Sequence, residues 1–394
     1  MDPVRNPYRP GAGRRPPELA GRAEVLDAFD VLVRRGEEYG EGDRSWVLTG
    51  LRGVGKTVLL NELLAHVSHH DWITAKVEAG AGASLPVALS QALVKGMRTA
   101  TGRHPLPRMQ RLLGVFKAFS LKVNPTGVSL GMEVEPLRGV ADSGRLADDL
   151  TALFEILGET SRELGVGTLI LVDELQEATA DELTAVNTAV HQLGQADVPA
   201  PLIFVGAGLP SLPAQLAAAT SYAERLYDFR VVGLLPPEAS REALRQPARN
   251  LGVDWVPAGL DAAVSAAGGY PYFLQAVGKH VWDHARSNPI SPEDVEIGLA
   301  AARREVDDGL YRSRWERTTP AQREVLRALA SLTLQGGGGA ARVADIARAA
   351  GRPRTSDISV ARSELVKKGL VYAPERGLLS FTVPGMEDFV ARQP

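Results

Sequence analysis

Eight residues, Gly50-Leu51-Arg52-Gly53-Val54-Gly55-Lys56-Thr57, fit the pattern G-x-x-x-x-G-K-[ST] at every position. Their flanks restrict the fold more than any other feature of the chain. The short apolar run Ser45–Thr49 precedes them. Val58, Leu59, Leu63, Leu64 and Val67 then recur at helical spacing through Thr57–His69. In a glycine-rich turn between a strand and a helix, successive backbone N–H groups turn inward because no Cβ blocks them. The helix N-terminus adds its partial positive charge, and the result is a cradle for phosphate. Lys56 is then placed to reach the β- and γ-phosphates of a nucleotide, and Thr57 to set its hydroxyl on Mg2+.

A second motif carries the matching chemistry. Thr168–Val172 (Thr-Leu-Ile-Leu-Val) is a continuous apolar run, as expected of a strand covered on both faces, and it ends in Asp173-Glu174. Open parallel sheets bind ligands at the carboxyl ends of their strands. Asp173 beside the phosphate turn suits the hydration shell of Mg2+, and Glu174 suits the general base that orients and deprotonates an attacking water. The strand-like segments Ser45–Thr49, Trp72–Val77, Thr168–Val172, Pro201–Val205 and Asp228–Leu235 are separated by helical stretches including Leu85–Thr101 and Asp181–Gln195. This alternation predicts an α/β chain with a parallel sheet flanked by helices.

Other segments depart from the alternation. Phe119, Leu121 and Val123, then Val128, Leu130, Met132 and Val134, alternate with polar residues around the turn sequence Asn124-Pro125-Thr126-Gly127. This pattern predicts a β-hairpin near 119–135, with an apolar face packed on its own domain or on a partner. After Pro236-Pro237 the pattern is helical to about Arg314. Beyond it, Ala321–Leu334, Val343–Ala350 and Ser356–Lys368 read as three helices, with Gly336–Gly339 a loop between the first two. Leu370–Tyr372 and Leu378–Val383 read as short strands. Three helices followed by a hairpin is the pattern of a winged helix-turn-helix. The expected division is a flexible arm at 1–17, a sheet domain at 18–235, a helical lid at 236–316 and a winged helix at 317–394.

The balance of 44 Lys+Arg against 47 Asp+Glu is unevenly spread. Residues 320–394 carry 11 basic and 7 acidic side chains, a local +4 that leaves −7 on the rest. A basic terminal module invites a test for nucleic acid. In Ser356–Lys368, Ile358, Ala361, Leu365 and Val366 share one face, while Ser359, Arg362, Ser363 and Lys367 show on the other. Arg362 is the candidate for base readout, with Ser359 on the same face, and Lys367, Arg352 and Arg354 are candidates for phosphate contacts. Ordinary scatter of surface charge and a protein-binding winged helix stand as the alternatives.

The chain has no cysteine, which excludes disulfide scaffolds, thiolate metal sites and cysteine nucleophiles. No apolar run of membrane-spanning length occurs, and Met1–Pro17 lacks the apolar centre of a signal peptide, so a cytoplasmic protein with no membrane partner is expected. His66, His69 and His70 cluster at a helix end, but spacing supplies no fourth metal ligand, and helix-terminal histidines suit the dipole.

On Gly50–Thr57 and Leu169-Ile170-Leu171-Val172-Asp173-Glu174, the chain resembles the P-loop ATPases of the AAA+ and STAND groups. It is most similar to the origin-recognition-like and archaeal-type ATPases that end in a winged helix. The resemblance implies a P-loop NTPase parallel sheet flanked by helices, followed by an all-α lid and a winged helix-turn-helix domain. It implies ATP and Mg2+ as cofactors, with Gly50, Leu51, Arg52, Gly53, Val54, Gly55, Lys56, Thr57 and Val58 around the phosphates. Leu19-Ala20-Gly21-Arg22 resembles the family's entry segment, which places Gly21 and Arg22 against the adenine. Gly268-Gly269-Tyr270-Pro271 resembles its lid element, which places Pro271 on the base or ribose side. Arg225 stands where a trans-acting arginine finger can lie. A structural ion pair with Glu224 or Asp228 is the favoured reading of Arg225, and Arg230 competes for the finger role. Arg52 faces either a neighbouring protomer or solvent.

Two departures from the family pattern bear on turnover. Gly206, Ala207 and Gly208 stand where a polar sensor is common, and the helix from Tyr272 lacks an arginine aimed at the γ-phosphate. The expected function is an ATP-hydrolysing switch that couples nucleotide state to double-stranded DNA through the winged helix. The alternative is a slow or non-hydrolysing STAND-type scaffold whose winged helix and hairpin bind protein partners or a second copy.

Overall fold

The computed structural model describes residues 1–101, 106–123, 135–336 and 339–393. It divides into two compact units, one of Ala23–Gly50 with Lys56–Val231, the other of Met1–Arg22, Leu51–Gly55 and Val232–Pro394.

The first is built on a five-stranded parallel sheet ordered β2-β3-β4-β1-β5, with β1 at Ser45–Thr49, β2 at Ile73–Glu78, β3 at Thr168–Asp173, β4 at Leu202–Gly208 and β5 at Tyr227–Val231. Burial follows strand position. Every residue of β1, β3 and β4 is buried, whereas edge strand β2 alternates and β5 is mostly half-exposed. Strands covered on both faces need unbroken apolar runs, which is why these three are plain in the sequence. The helices of this unit are α1 (Ala23–Tyr39), α2 (Lys56–Val67), α3 (Leu85–Thr101), α4 (Leu106–Val123), α5 (Leu146–Leu164), α6 (Ala180–Gln195), α7 (Leu212–Ala219) and α8 (Ala223–Leu226). Gly96 lets α3 lie close on β2, since a Cβ there would come within 2.0 Å of the Thr74 carbonyl oxygen. Thr179 and Glu182 cap α6 reciprocally, and the Glu182 carboxylate also accepts the Leu85 backbone N–H at 2.8 Å.

One segment differs from the sequence reading. Phe119, Leu121 and Val123 belong to α4, not to a strand. Leu112, Val115, Phe116 and Phe119 are fully buried while Leu121 is 46% exposed. Spacings of three and four decide the burial, and the alternation over 119–123 is incidental to it. The remainder of the expected hairpin, 124–134, lies outside the described residues.

The second unit begins with the first 22 residues, and these are anchored. Tyr8 is 3% exposed and its hydroxyl donates to the Leu244 carbonyl. Gly278 makes room for the Tyr8 ring, and Trp282 Nε1 donates to the Asp2 carbonyl at 2.9 Å. The expectation of a flexible arm at 1–17 is therefore corrected: the aromatic ring supplies an apolar anchor that arginine and proline content conceals. The helices α9 (Pro237–Arg249), α10 (Pro257–Ala267), α11 (Pro271–His284) and α12 (Pro292–Glu305) come next, then a π-helical turn (Val306–Tyr311) and α13 (Arg312–Glu316). Each of α9 to α12 carries proline in its first turn, where no N–H is needed. The terminal segment runs α14 (Pro320–Gln335), β6 (Ala341–Arg342), α15 (Val343–Ala349), α16 (Ser359–Lys367), β7 (Val371–Tyr372), β8 (Leu378–Phe381) and α17 (Met386–Ala391), with strand order β6-β8-β7. This is the connectivity of a winged helix with one further helix appended.

The two readings of residues 119–121 separate experimentally. Phe119→Ala lowers unfolding free energy by about 3–5 kcal/mol in a urea titration, while Leu121→Ala changes it by less than about 0.5 kcal/mol. Equal losses would support the alternating strand.

Candidate phosphate-binding site

The turn Gly50–Lys56 leads from β1 into α2, so its conformation is set at both ends by regular structure. Gly53 and Gly55 have φ of 82° and 99°, which L-residues with a Cβ rarely adopt. Lys56 is buried and its Nζ donates to the Gly50 carbonyl at 2.9 Å, folding the ammonium over its own loop. In the first turn of α2, Thr57 Oγ1 donates to Asp173 Oδ2 at 2.6 Å. Asp173 is 4% exposed, and its other oxygen accepts the Glu174 N–H at 3.0 Å. The sheet order places β4 between β1 and β3, so the acids stand two strands from the loop's strand, not on the adjacent one. Asp173 meets the first turn of α2 through Thr57.

Glu174 adopts φ 48°, a left-handed conformation uncommon outside glycine. Gln176 donates through Nε2 to the Glu174 carboxylate and accepts the Leu209 N–H on Oε1 at 3.0 Å. Gly206, Ala207 and Gly208 end β4 without a polar side chain. A Cβ on Gly208 would lie 2.5 Å from Gln176 Oε1, so glycine is there to admit the amide. Nearby on β2, burial lowers the Lys76 pKa, opposed by the charges of Asp173 and Glu78.

Leu51–Gly55 gathers a second set of contacts, all within the unit to which these five residues belong. Arg22 donates to the Val54 carbonyl at 2.9 Å and to Gly233 at 2.8 Å, and burial lowers its pKa. The entry segment is thus fastened to the phosphate loop itself. Gly21, at φ 65°, packs tightly on Ala239, with a built Cβ 2.9 Å away. The Tyr270 hydroxyl donates to the Arg52 carbonyl, and the ring lies so close to Gly53 that a Cβ there would sit 2.1 Å from the hydroxyl oxygen. Pro271 opens α11, and Tyr270 before it is the lid residue that touches the loop. The Arg52 N–H donates to the Thr382 carbonyl at 3.3 Å, just beyond β8, and its guanidinium lies against Gly369. Arg52 therefore faces its own winged segment and not solvent alone. Arg314 stands close by, its pKa lowered by burial and by the Arg52 charge. Sequence reading missed Gln176, Arg314 and Thr382, and it missed Tyr270 as a contact. Only the Gly-Gly-Tyr-Pro signature pointed towards any of them.

Arg225 is exposed on α8, and no ion pair of it is found among the described residues. Asp228 pairs with Arg230 at 2.8 Å, and the Arg230 guanidinium lies over the Trp46 ring, 3.8 Å from its centroid. The ion pair expected of Arg225 is thus made by Arg230. His66 and His70 pair with Asp30 and Glu37 of α1 at 3.3 and 2.8 Å. Among the described residues no three His, Cys, Asp or Glu side chains form a metal-holding group.

In the winged segment Ile358 and Leu365 are buried, but Val366 is 42% exposed and Val360 77% exposed. Val366 therefore leaves the buried face assigned to it, because the helical phase of α16 follows Leu365. Arg352 pairs with Glu324 and Lys367 with Glu364, each at 2.8 Å. Ser359 donates to the Ser356 carbonyl at 2.7 Å, Arg354 is exposed and Arg362 is half-buried.

Residues 18–205 match the family model described as AAA ATPase domain. Residues 308–390 match a domain of unknown function, DUF8462. The chain shares its fold with solved structures of archaeal proteins. The Aeropyrum pernix ORC2 protein in its ADPNP–ADP complexes aligns at 16% identity and TM-score 0.57 over 96% of this chain and 95% of that one. Its ADP form aligns at 16% and 0.53 over 96% of each. A Walker-type ATPase of Pyrococcus abyssi aligns at 18% and 0.58 over 97% and 98%. No curated protein matches the chain. Among the described residues no helix is long and apolar enough to cross a membrane.

The Arg22 clamp on the glycine-rich loop has a measurable weight. Two hydrogen bonds from a half-buried guanidinium to carbonyls predict that Arg22→Ala costs on the order of 2 kcal/mol. Thermal unfolding reads this as a lowered midpoint, and an unchanged midpoint would show the clamp to be without weight.

Proposed function

We propose that this chain is an AAA-type, magnesium-dependent ATP-hydrolysing switch whose nucleotide state passes from the phosphate loop to the winged segment. The observation that carries the reading is the hydrogen bond between Thr57 and the buried Asp173, which brings the ends of two motifs 116 positions apart to one point beside Lys56. Lys56 holds the β- and γ-phosphates, and the backbone N–H groups of Gly53 to Val58 surround them. The resemblance assigns Gly21, Arg22 and Pro271 to the nucleoside, with Gly50, Leu51 and Arg52 completing the loop.

The oxygen donors of Thr57 and Asp173, one neutral and one anionic, fit Mg2+, which keeps most of its water and takes few protein ligands. Bound magnesium supplies positive charge against the negative charge that develops on the phosphate oxygens. Glu174 orients the attacking water and takes its proton. Arg225, exposed and without an ion pair among the described residues, is available to the phosphates of a second copy. The contacts of Arg52 with Tyr270 and Thr382 support transmission, because a loop that tightens on phosphate pulls on groups bonded to its backbone.

The output favoured here is double-stranded DNA, with Arg354 and Arg362 leading and Arg352, Ser359 and Lys367 beside them. A second output, a protein partner, is supported by the exposed Val360 and by the two cations that already hold acidic partners.

Lys56→Ala abolishes binding of a fluorescent ATP analogue or nearly so. Glu174→Gln retains ATP but stops phosphate release, and wild-type turnover in that variant would overturn the assignment of the base. Arg362→Ala combined with Lys367→Ala weakens duplex binding in a gel-shift titration. Unchanged affinity moves the output to the protein partner.

A further inference from the structure

At the tip of β4, where an ATPase site needs polar reach towards the attacking water, the chain offers only Gly206, Ala207 and Gly208. The polar group present comes from a different element. Leu175–Glu177 forms a 3-10 turn directly after β3, and from it the Gln176 side chain crosses to β4. Its two ends are chemically distinct. The Leu209 N–H can only donate, so the atom 3.0 Å from it is the carbonyl Oε1. The Glu174 carboxylate has only acceptors to offer when ionised, so the atom bonded to it is the amide Nε2. The orientation of the amide is therefore dictated by its partners.

Three further observations show that the local structure is shaped around this amide. Gly208 is the residue that leaves room for Oε1, and Leu212 crowds the same point, 2.7 Å from a built Cβ. Gly206 likewise yields to Leu175, with a built Cβ 2.7 Å from that side chain. Glu174 holds its left-handed backbone conformation at the start of the same turn. Nε2 also lies 3.4 Å from Glu177 Oε1, a longer and weaker contact.

We propose that Gln176 is the positioning residue of the hydrolytic site, its amide anchored to the β4 tip through Leu209 and fixing the Glu174 carboxylate for attack by water. The inference rests on Glu174 as the base. Gln176 acts through Glu174 and replaces the polar side chain that β4 lacks. It also links the tips of β3 and β4, so that the base keeps its place relative to the sheet. A base displaced by about 1 Å loses on the order of 10²-fold in rate.

Two substitutions separate positioning from space-filling. Gln176→Met keeps the volume beside Gly208 and removes both hydrogen bonds. Gln176→Glu keeps an acceptor for the Leu209 N–H and replaces the donor with a carboxylate facing Glu174. ATP turnover is measured with each, together with the affinity of the non-hydrolysed analogue ADPNP. The proposal predicts that both lower kcat on the order of 10²-fold with ADPNP affinity unchanged. If Gln176→Glu turns over at the wild-type rate, the donor to Glu174 is without effect and the proposal fails. If both variants lose ADPNP affinity in step with kcat, the role is structural and the proposal fails. Glu174→Gln run in parallel distinguishes the levels. An inactive Glu174→Gln beside fully active Gln176 variants overturns the positioning role alone, whereas an active Glu174→Gln overturns the reading of the base itself.

Discussion

The arrangement depends on a carboxylate removed from water. Asp173 ends strand β3 nearly without exposure, and an ionised acid there costs several kcal/mol unless its oxygens are satisfied. One oxygen takes the Thr57 hydroxyl and the other takes the Glu174 N–H. Thr57 reaches it only because α2 starts where the phosphate loop ends, and the loop follows β1, which the sheet separates from β3 by β4. Removing the hydroxyl would leave a buried charge short of a donor, and shifting β3 by one residue would turn Asp173 to the opposite face. The sheet register and the nucleotide chemistry therefore impose one constraint on the same residues.

The phosphate loop is held by more than its own strand and helix. Arg22 grips the Val54 carbonyl, Tyr270 the Arg52 carbonyl, and the Thr382 carbonyl the Arg52 N–H. These are backbone contacts, so they respond to the conformation of the loop and not to the identity of its side chains. Tyr270 depends on Gly53 having no Cβ. Glycine at that position thus serves two ends, the inward turn of the N–H groups and the approach of an aromatic ring. The winged segment meets the loop at Arg52, whose guanidinium lies against Gly369 and whose charge acts on Arg314.

Much of this was legible in the sequence for a physical reason. Strands buried on both faces must be apolar throughout, so β1, β3 and β4 stood out, and the two nucleotide motifs are local patterns whose chemistry follows from spacing. Edge strands and helices proved harder. Phe119, Leu121 and Val123 alternate like a strand, yet Leu112, Phe116 and Phe119 recur like a helix, and packing on the core favoured the latter. The 19-residue helix α5 passed without assignment in the sequence reading. Tyr8 was hidden among prolines and arginines. Contacts such as Arg52 with Thr382 join positions too distant for any local pattern to record. Gln176 was in plain view beside Asp173 and Glu174, but its role depends on where β4 lies, which the sequence does not state. The ion pair expected of Arg225 fell to Arg230 because the Trp46 ring holds the latter guanidinium over β1.

Calorimetric titration of the full chain with ATP, in the presence of magnesium and then of excess EDTA, tests the central claim most directly. Binding of one ATP per chain that weakens at least about tenfold without the metal is the result required by a triphosphate held by Lys56 with its cation between Thr57 and Asp173. Heats no larger than dilution, or an affinity indifferent to magnesium, would contradict the account.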